Sequence, residues 1–389
     1  MNKKNNFFTN TGAPFPEKPD LNCPHFEKCS GCEISANLNT PPIFEEAKNY
    51  FEKKGIQNLQ LITGNVNFWR YRAKLVVRGT SDNPQIGLYK KGTHEVLDIP
   101  FCKVHHPNIN IALNLVKEFI RQNAIEPYNE TTKKGLLRYL QFVVERKTGK
   151  VQVTFVLNKA FETETTHWQL PFSDIWHSVW LNFNQSATNN IFGTNWTHLQ
   201  GPLFMFEQFG EVSVALHPAS FAQSNLRLFE QMLNSIKNEI PVNSKVVEFY
   251  AGVGVIGLKI ASKCQSVICS EIIPQAEICF LESKSKLEPA IADKISFKMG
   301  PSENALSLID GKDVVIVDPP RKGLCPSLLK AIAKNEALKK LIYISCGWKA
   351  FQRDCNYLLD RDWMIEKIEP YLFFPGSNHL EIFAIFKKK

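Results

Sequence analysis

Four of the ten cysteines form a pattern that could bind metal. The run CPHFEKCSGC contains three of them and DIPFCKVHHP supplies the fourth, so that the set is Cys23, Cys29, Cys32 and Cys102. Four thiolates are a ligand set for zinc or for an iron–sulfur cluster. Zinc sites commonly use paired C-x2-C units, whereas this chain has one such unit, a five-residue gap and a distant fourth cysteine. The spacing therefore favours an iron–sulfur cluster, expected as 4Fe-4S, with zinc as the alternative. Histidines that keep mixed zinc ligation open are His25, His105 and His106.

Three further residues could take part in covalent and acid–base chemistry. Asp318 in DVVIVDPPRKG and Cys346 in LIYISCGWKAFQRD stand at the carboxyl ends of two predicted parallel strands, the edge where open α/β sheets bind ligands. Glu381 begins an apolar run in HLEIFAIF, where burial would raise its pKa and suit it to remove a proton. Taken singly, each has a simpler interpretation: a capped strand end, a buried structural cysteine and a charge at an exposed strand start.

A glycine pattern predicts a nucleoside cofactor. VVEFYAGVGVIGL places Gly252, Gly254 and Gly257 in G-x-G-x-x-G spacing between a predicted strand and a helix. Glycines there let a ligand approach the backbone, and the helix N-terminus favours a negative group. Glu271 ends the next strand, where a carboxylate can accept hydrogen bonds from a ribose diol. NAD and S-adenosylmethionine both satisfy this pattern, so the motif leaves the cofactor open.

From about residue 217, strands alternate with helices and predict a parallel sheet covered on both faces. This region, 217–389, is expected to form a doubly wound α/β domain that brings the glycine turn, Asp318 and Cys346 to one sheet edge. Two final strands, in IEKIEPYLFF and HLEIFAIFKKK, are expected to add an antiparallel edge pair. The predicted helices cover 222–238, 254–263, 274–287 and 326–334.

The first half is expected to hold two smaller units. Residues 1–42 combine a polar N-terminal arm with the cysteine segment, whose fourth ligand, Cys102, lies outside it. Residues 43–216 predict an α+β domain. Its predicted parts are a helix in FEEAKNYFEKKG, an antiparallel meander, a helix over 107–124, a hairpin turning at 147–150 and further strands to about 216.

Composition limits the class of protein. The chain has 389 residues, 44% of them hydrophobic, which allows a sizeable core and excludes a disordered protein. No apolar run approaches the ~18 to 20 residues that cross a bilayer, and no signal-type stretch opens the chain, so we expect a cytoplasmic protein without membrane contact. The net charge of +8 favours an anionic partner, either nucleic acid or an acidic metabolite. No obligate protein partner is indicated.

In combination, the motifs resemble those of the S-adenosylmethionine-dependent RNA uracil-C5 methyltransferases. The cysteine cluster, RYRAKLVVRG, SFAQSN, EFYAGVGVIGL, DPPRKG, YISC and FFPGSNHLE occur in that family's order and extend from Cys23 to the C-terminus. The chain looks most like the branch without an N-terminal β-barrel, which methylates a uridine of 23S ribosomal RNA, and transfer RNA is the alternative target. The resemblance implies a Rossmann-like class I methyltransferase domain with an inserted or preceding α+β RNA-binding domain.

The resemblance also assigns roles to residues. Cys346 would add as a thiolate to carbon 6 of uracil, and Glu381 would remove the carbon 5 proton after methyl transfer. Family matching places four residues against S-adenosylmethionine or beside the uracil: Gln223, Tyr250, Glu271 and Asp318. It places Gly252 and Gly254 in the turn that the cofactor approaches. Basic residues that would suit RNA phosphates are Arg70, Arg72, Lys74, Arg78, Lys133, Lys134 and Arg138.

The sequence departs from the family after its cysteine, where Gly347 and Trp348 replace the common Asn-Pro or Asn-Ala. Trp348 would either stack on a flipped base or pack within the protein. Two interpretations from other classes remain open. One is a NAD-linked oxidoreductase that uses the same glycines without needing Cys346, and the other is a non-catalytic RNA-binding protein with a metal module.

Overall fold

The computed structural model describes residues 20–161, 168, 170, 173–186, 188 and 190–389, and almost all of the predicted N-terminal arm lies outside these ranges. The first element within them is helix α1 (Pro42–Glu52), which begins at a proline and buries Phe44, Ala47 and Phe51 on one face. Spacings of three and four residues between these side chains are the helical period expected from the sequence.

A seven-stranded sheet and one helix follow. The strands are β1 (Arg72–Gly79), β2 (Pro84–Tyr89), β3 (Val96–Asp98), β4 (Leu137–Val144), β5 (Val151–Leu157), β6 (Trp176–Phe183) and β7 (Asn195–Gln200). They lie in the order β3-β2-β1-β4-β5-β6-β7, and every neighbouring pair is antiparallel except β5 and β6. Helix α2 (Pro107–Gln122) buries Leu113, Val116 and Ile120 in the same core as Leu140 and Phe142 of β4. The predicted meander, hairpin and helix are confirmed, whereas the parallel pair was not predicted.

A separate hairpin stands between the two halves of the chain. Strands β8 (Met205–Phe209) and β9 (Val212–Leu216) form a two-stranded sheet of their own. The backbone N–H of Ala215 donates to Ser283 Oγ at 2.8 Å, which fastens β9 to helix α5 (Pro274–Lys284). The strand-and-turn alternation predicted to about residue 216 is therefore present.

The second half of the chain forms an open sheet in which the order of the strands reverses at the centre. Its strands are β10 (Lys245–Phe249), β11 (Ser266–Glu271), β12 (Ile295–Met299), β13 (Val314–Val317), β14 (Lys340–Ser345), β15 (Trp363–Tyr371) and β16 (Glu381–Lys388). They lie in the order β12-β11-β10-β13-β14-β16-β15, with the first five parallel and β16 antiparallel to both of its neighbours. The predicted doubly wound sheet and its antiparallel edge are confirmed. Since the chain winds outward in both directions from β10 and β13, the crevice between these strands is where such folds bind ligands.

Helices on both faces differ from the sequence prediction at a few ends. Besides α5 they are α3 (Leu226–Glu239), α4 (Val255–Ile260), α6 (Pro289–Ala292), α7 (Pro326–Lys334) and α8 (Trp348–Leu359). Helix α3 begins at Leu226 and not at 222, because the Asn225 side chain caps it by accepting from Leu228 N–H at 3.3 Å. Helix α4 ends early, where the chain tightens into a 3-10 turn over 261–263. Helix α8 was not predicted at all.

Apolar cores bury both faces of the second sheet. Val246, Val314 and Ile342 belong to one core, while the neighbouring Val247 and Val315 belong to the other. This alternation on central strands explains their nearly continuous apolar sequences. In the described ranges, no helix is long and apolar enough to span a membrane.

Candidate active site

Two carboxylates hold the glycine turn after β10. Gly252 and Gly254 have φ of +54° and +77°, in the left-handed region, and a Cβ on Gly254 would stand 2.6 Å from an aromatic ring. Glu271 accepts a hydrogen bond from the N–H of Gly252 at 2.9 Å. The buried Glu248 accepts one from the N–H of Gly257 at 2.8 Å. The predicted Glu271 therefore contacts the turn itself.

A cavity opens at this turn, in the crevice between β10 and β13. Four of the residues predicted for the cofactor site line it: Gln223, Tyr250, Gly252 and Asp318. Phe221, 65% exposed, and the buried Glu248 line it as well. Neither was predicted, although a carboxylate inside the apolar strand of VVEFY was a signal for Glu248. The other predicted residues, Gly254 and Glu271, shape the turn.

Tyr250 is fixed beside this cavity. Its φ of +58° lies in the left-handed region, where aromatic residues are uncommon. Its hydroxyl accepts hydrogen bonds from Ser302 Oγ at 3.0 Å and from the N–H of Cys325 at 3.2 Å. Burial raises the pKa of Tyr250 and keeps the hydroxyl neutral. A strained conformation of this kind persists when its surroundings hold it, so the ring is set in place without a ligand.

Strand register brings Cys346 next to Glu381. Cys346 directly follows β14, and Glu381 is the first residue of β16. The two strands are antiparallel with Ser345 opposite Ile382, so the next pair in this register is Cys346 and Glu381. Asp318 directly follows β13, the parallel neighbour of β14 on its other side. The structure therefore gathers all three predicted residues at one sheet edge.

Burial controls the protonation of this group. It raises the pKa of Glu381, which is 4% exposed, to about 8, and the charge of Asp318 adds to the shift. Burial likewise raises the pKa of Asp318 to about 7. The pKa of the Cys346 thiol is raised to about 11, first by burial and then by the charges of Glu381 and Asp318. The positive charge of Arg321 opposes the shifts of Cys346 and Glu381. At neutral pH, both the thiol and Glu381 therefore hold a proton in most molecules.

The four cysteines of the predicted metal site line a second cavity, of about 150 Å³. Its cysteines are Cys23, Cys29, Cys32 and Cys102. Burial raises the pKa of Cys32 to about 12, and the charges of the other three add to the shift. His105 also lines the cavity, and its buried Nδ1 has no hydrogen-bond partner within the described part of the chain. Among all residues that the structure describes, no group of three or more His, Cys, Asp or Glu is arranged to hold a metal ion. The metal site therefore stays a prediction.

Two arginines and Trp348 have structural contacts. Arg72 donates to two backbone carbonyls of residues 217–223 at 2.6 and 3.0 Å. Arg138, 5% exposed, donates to two carbonyls just after β6 at 2.6 and 2.8 Å. The expectation that these two guanidinium groups contact RNA phosphates is therefore wrong. Trp348 is 5% exposed and stacks on Phe351, so it packs within the protein and does not offer a face to a base.

Known proteins share this architecture. The family model described as tRNA (Uracil-5-)-methyltransferase matches residues 44–389. An uncharacterized RNA methyltransferase of Protochlamydia amoebophila is 44% identical over 385 residues, which cover 96% of this chain and 100% of that protein. One of Staphylococcus epidermidis is 30% identical over 388 residues, covering 94% of this chain and 83% of that protein. This chain is also similar to the crystal structure of Pyrococcus abyssi tRNA (uracil-54, C5)-methyltransferase in complex with S-adenosyl-L-homocysteine, with a TM-score of 0.73 and 24% identity. The similarity covers 88% of this chain and 82% of that one.

A cavity at the point where the strand order of a doubly wound sheet reverses, with a glycine turn on one side, defines a Rossmann-like fold that binds a nucleoside cofactor. The chain belongs to the tRNA (uracil-5-)-methyltransferase family, as the match over residues 44–389 shows. It is an S-adenosylmethionine-dependent RNA methyltransferase, which confirms the resemblance found in the sequence. Neither the oxidoreductase nor the non-catalytic interpretation has support.

Proposed function

We propose that this enzyme methylates carbon 5 of a uridine in 23S ribosomal RNA through a covalent adduct between Cys346 and carbon 6. The observation that carries the proposal is the register of β14 and β16, whose last pair, Ser345 and Ile382, brings the next residues, Cys346 and the buried Glu381, side by side. Carbon 5 of uracil is a poor nucleophile, and addition of a thiolate to carbon 6 turns the ring into an enolate that can attack a methyl donor. A strong base must then remove the carbon 5 proton, and a carboxylate whose pKa is raised to about 8 suits that task.

The proposed reaction has three steps. The Cys346 thiol gives its proton to solvent, and its sulfur bonds to carbon 6 while the electrons of the double bond between carbons 5 and 6 form the enolate. Carbon 5 then bonds to the methyl carbon, whose bond to the sulfonium breaks, and S-adenosylhomocysteine leaves with that electron pair. Glu381 takes the proton from carbon 5, the freed electrons restore the double bond between carbons 5 and 6, and the thiolate departs from carbon 6.

The cofactor would occupy the cavity at the glycine turn. The residues proposed to hold it are Gln223, Tyr250, Gly252 and Asp318, with Gly254 and Glu271 keeping the turn in shape. Because burial raises the pKa of Asp318 to about 7, a positive sulfonium nearby would favour its ionised form. The target base must leave its stack to reach Cys346, which costs a few kcal/mol and is easiest in an RNA loop.

The cysteine cavity would hold an iron–sulfur cluster, expected as 4Fe-4S. Four cysteines that line one cavity are the donor set such a cluster takes, and the Nδ1 of His105, which has no hydrogen-bond partner among the described residues, offers a further polar contact. The proposed ligands are Cys23, Cys29, Cys32 and Cys102. A bound cluster would tie the N-terminal segment to the connection between β3 and α2 and so add to stability. Zinc is the alternative, and a colourless, zinc-containing protein after anaerobic purification would establish it.

The RNA would contact the wall of the cofactor cavity and the first sheet, of which the sheet lies within the proposed RNA-binding domain 43–216. The exposed Phe221 offers a ring for base stacking, and Lys74, whose ammonium lies 4.6 Å from the centre of the Phe192 ring, offers a positive charge. The motifs GTHEVLDIPFC and PYNETTKKGLLRY resemble those of the branch that methylates 23S ribosomal RNA, and this resemblance favours that target. The name of the matching family points to transfer RNA instead. A cytoplasmic location stays a prediction of the sequence.

Mass spectrometry of RNA from cells without this protein identifies the target. We expect 23S ribosomal RNA to lose one 5-methyluridine. Loss from transfer RNA would reassign the substrate, and unchanged RNA would refute the proposal. In vitro, Cys346→Ala should abolish methyl transfer. Cys264→Ala should retain it, because Cys264 is 1% exposed and precedes β11 at the opposite edge of the sheet.

A further inference from the structure

The loop that delivers Glu381 is fastened to the cysteine segment. This loop, residues 372–380, joins β15 to β16 and ends directly at Glu381. The carbonyl of Gly376 accepts hydrogen bonds from the N–H of Glu33 at 2.7 Å and from the N–H of Ile34 at 3.0 Å. Four residues separate Gly376 from Glu381. The segment that carries the first three cysteines therefore holds the loop by its backbone, close to the proposed base.

Gly376 also packs directly on one of those cysteines. Its φ is +96°, and a Cβ built on it would lie 3.3 Å from Cys32 Sγ and 3.7 Å from Cys32 Cβ. Phe374, in the same loop, meets the Trp69 ring edge-on at 5.7 Å between centroids. The guanidinium of Arg70, a lining residue of the cysteine cavity, lies over both rings, 4.6 Å from Trp69 and 5.7 Å from Phe374. One side of the loop thus rests on the wall of the cysteine cavity.

Two other bonds limit how the loop can move. The Asn225 side chain donates to the carbonyl of Phe373 at 3.0 Å, and the N–H of Ile43 donates to Asn378 Oδ1 at 2.9 Å. Gly376 lies between these two anchored residues. The contact of Gly376 with the cysteine segment is thus a third point that fixes the path of the loop leading into Glu381.

We propose that Gly376 is a positioning residue, through which the cysteine segment places the carboxylate of Glu381. The inference rests on the proposed function, since it takes Glu381 as the base. Cys346 is carried by β14 and the cofactor turn by β10, so a shift of the loop leaves both in place. Addition and methyl transfer then continue, whereas removal of the carbon 5 proton slows. The intact cysteine site thereby governs release of the methylated RNA.

Gly376→Ala tests this role, with Gly311→Ala as the matched control. Both glycines have left-handed backbone, but a Cβ on Gly311 meets nothing within 4 Å, whereas one on Gly376 presses on Cys32. Each protein is mixed with labelled S-adenosylmethionine and total RNA from cells that lack it, and the covalent complex is followed on denaturing gels. For Gly376→Ala we expect methyl transfer within about twofold of the natural protein and adduct breakdown at least about tenfold slower. Breakdown equal to that of Gly311→Ala would overturn the proposal, as would an equal loss of both steps.

Hydrogen exchange tests the same coupling without any reaction, and it decides the matter if Gly376→Ala does not fold. Cys32→Ser removes the thiol on which Gly376 rests, and Cys264→Ser makes the same change in a buried residue elsewhere. We expect amides of 372–380 to exchange at least about tenfold faster in Cys32→Ser than in Cys264→Ser, with β14 unchanged. Equal exchange of the loop in the two proteins would overturn the proposal.

The two proposals fail in different ways. If the natural protein and Glu381→Gln both form no covalent complex with RNA, the proposed function fails. If the natural protein forms and releases the complex while Gly376→Ala and Cys32→Ser behave as their controls, only the role of Gly376 is lost.

Discussion

Release of methylated RNA from Cys346 should depend on pH, with an inflection near 8. Only the ionised Glu381 can take the carbon 5 proton, and burial raises the pKa of this carboxyl to about 8. After methyl transfer the cofactor sulfur is neutral, so the positive charge of Arg321 is what still favours ionisation. Two pH units below the pKa, the ionised fraction is about 1 in 100, and release at pH 6 should be about 100-fold slower than at its plateau.

A pH-jump experiment measures this step by itself. The adduct is formed in a brief mixing step at higher pH, where addition is faster, then diluted into buffers of lower pH and quantified on denaturing gels. The addition step provides an internal comparison, because the pKa of the Cys346 thiol is raised to about 11. Addition should therefore keep accelerating with pH after release has reached its plateau.

Variants that remove a charge test the assignment of Glu381 as the base. Arg321→Gln removes the opposing positive charge, so the inflection for release should move to higher pH, whereas the exposed Glu336→Gln should leave it unchanged. Release that does not vary between pH 6 and pH 8, in an adduct that forms normally, would refute the assignment of Glu381 as the base.

Three further outcomes follow from buried polar groups. Asn225→Ala should lower the unfolding free energy by about 1–2 kcal/mol in urea titrations, because it removes the α3 cap and the bond to Phe373, whereas the exposed Asn234→Ala should change little. Burial raises the pKa of Glu248 to about 8. Between the ordinary pKa of a glutamate and about 8, the folded state therefore binds a proton that the unfolded chain has lost, and stability falls as the pH rises through this range. Glu248→Gln should remove this contribution to the loss of stability with rising pH, which Tm measured at several pH values would show. Cofactor binding near pH 7 should release protons from Asp318, which calorimetry in two buffers detects, and Asp318→Asn should abolish the effect.

Local sequence signals predicted much of the site, because strand ends and turns are encoded by neighbouring residues. The glycine turn, Asp318 and Cys346 each sit at the end of a parallel strand, and βα alternation is sufficient to bring them to one edge. Helix α8 was also encoded locally, since Trp348, Phe351 and Cys355 recur at helical spacing and are buried on one face. The sequence analysis nevertheless placed no helix after the strand in LIYISC.

Long-range pairing could not be predicted in the same way. The placement of Glu381 beside Cys346 depends on β16 inserting between β14 and β15 in one register, and a slip of one residue would turn Glu381 to the other face. The contact between Gly376 and Cys32 joins residues far apart in the chain, and neither local pattern indicates it. Arg72 is of a residue type that commonly binds phosphate, but its contacts with backbone carbonyls of residues 217–223 are evident only from the three-dimensional structure.

The covalent adduct is the most direct test of the account. Glu381→Gln protein is incubated with S-adenosylmethionine and RNA from cells that lack the protein, digested with protease and nuclease, and analysed by tandem mass spectrometry. We predict one modified peptide, in which Cys346 carries a 5-methylated uridine nucleotide. An adduct at another of the ten cysteines, or methylated RNA released with no adduct from either the variant or the natural protein, would contradict the mechanism.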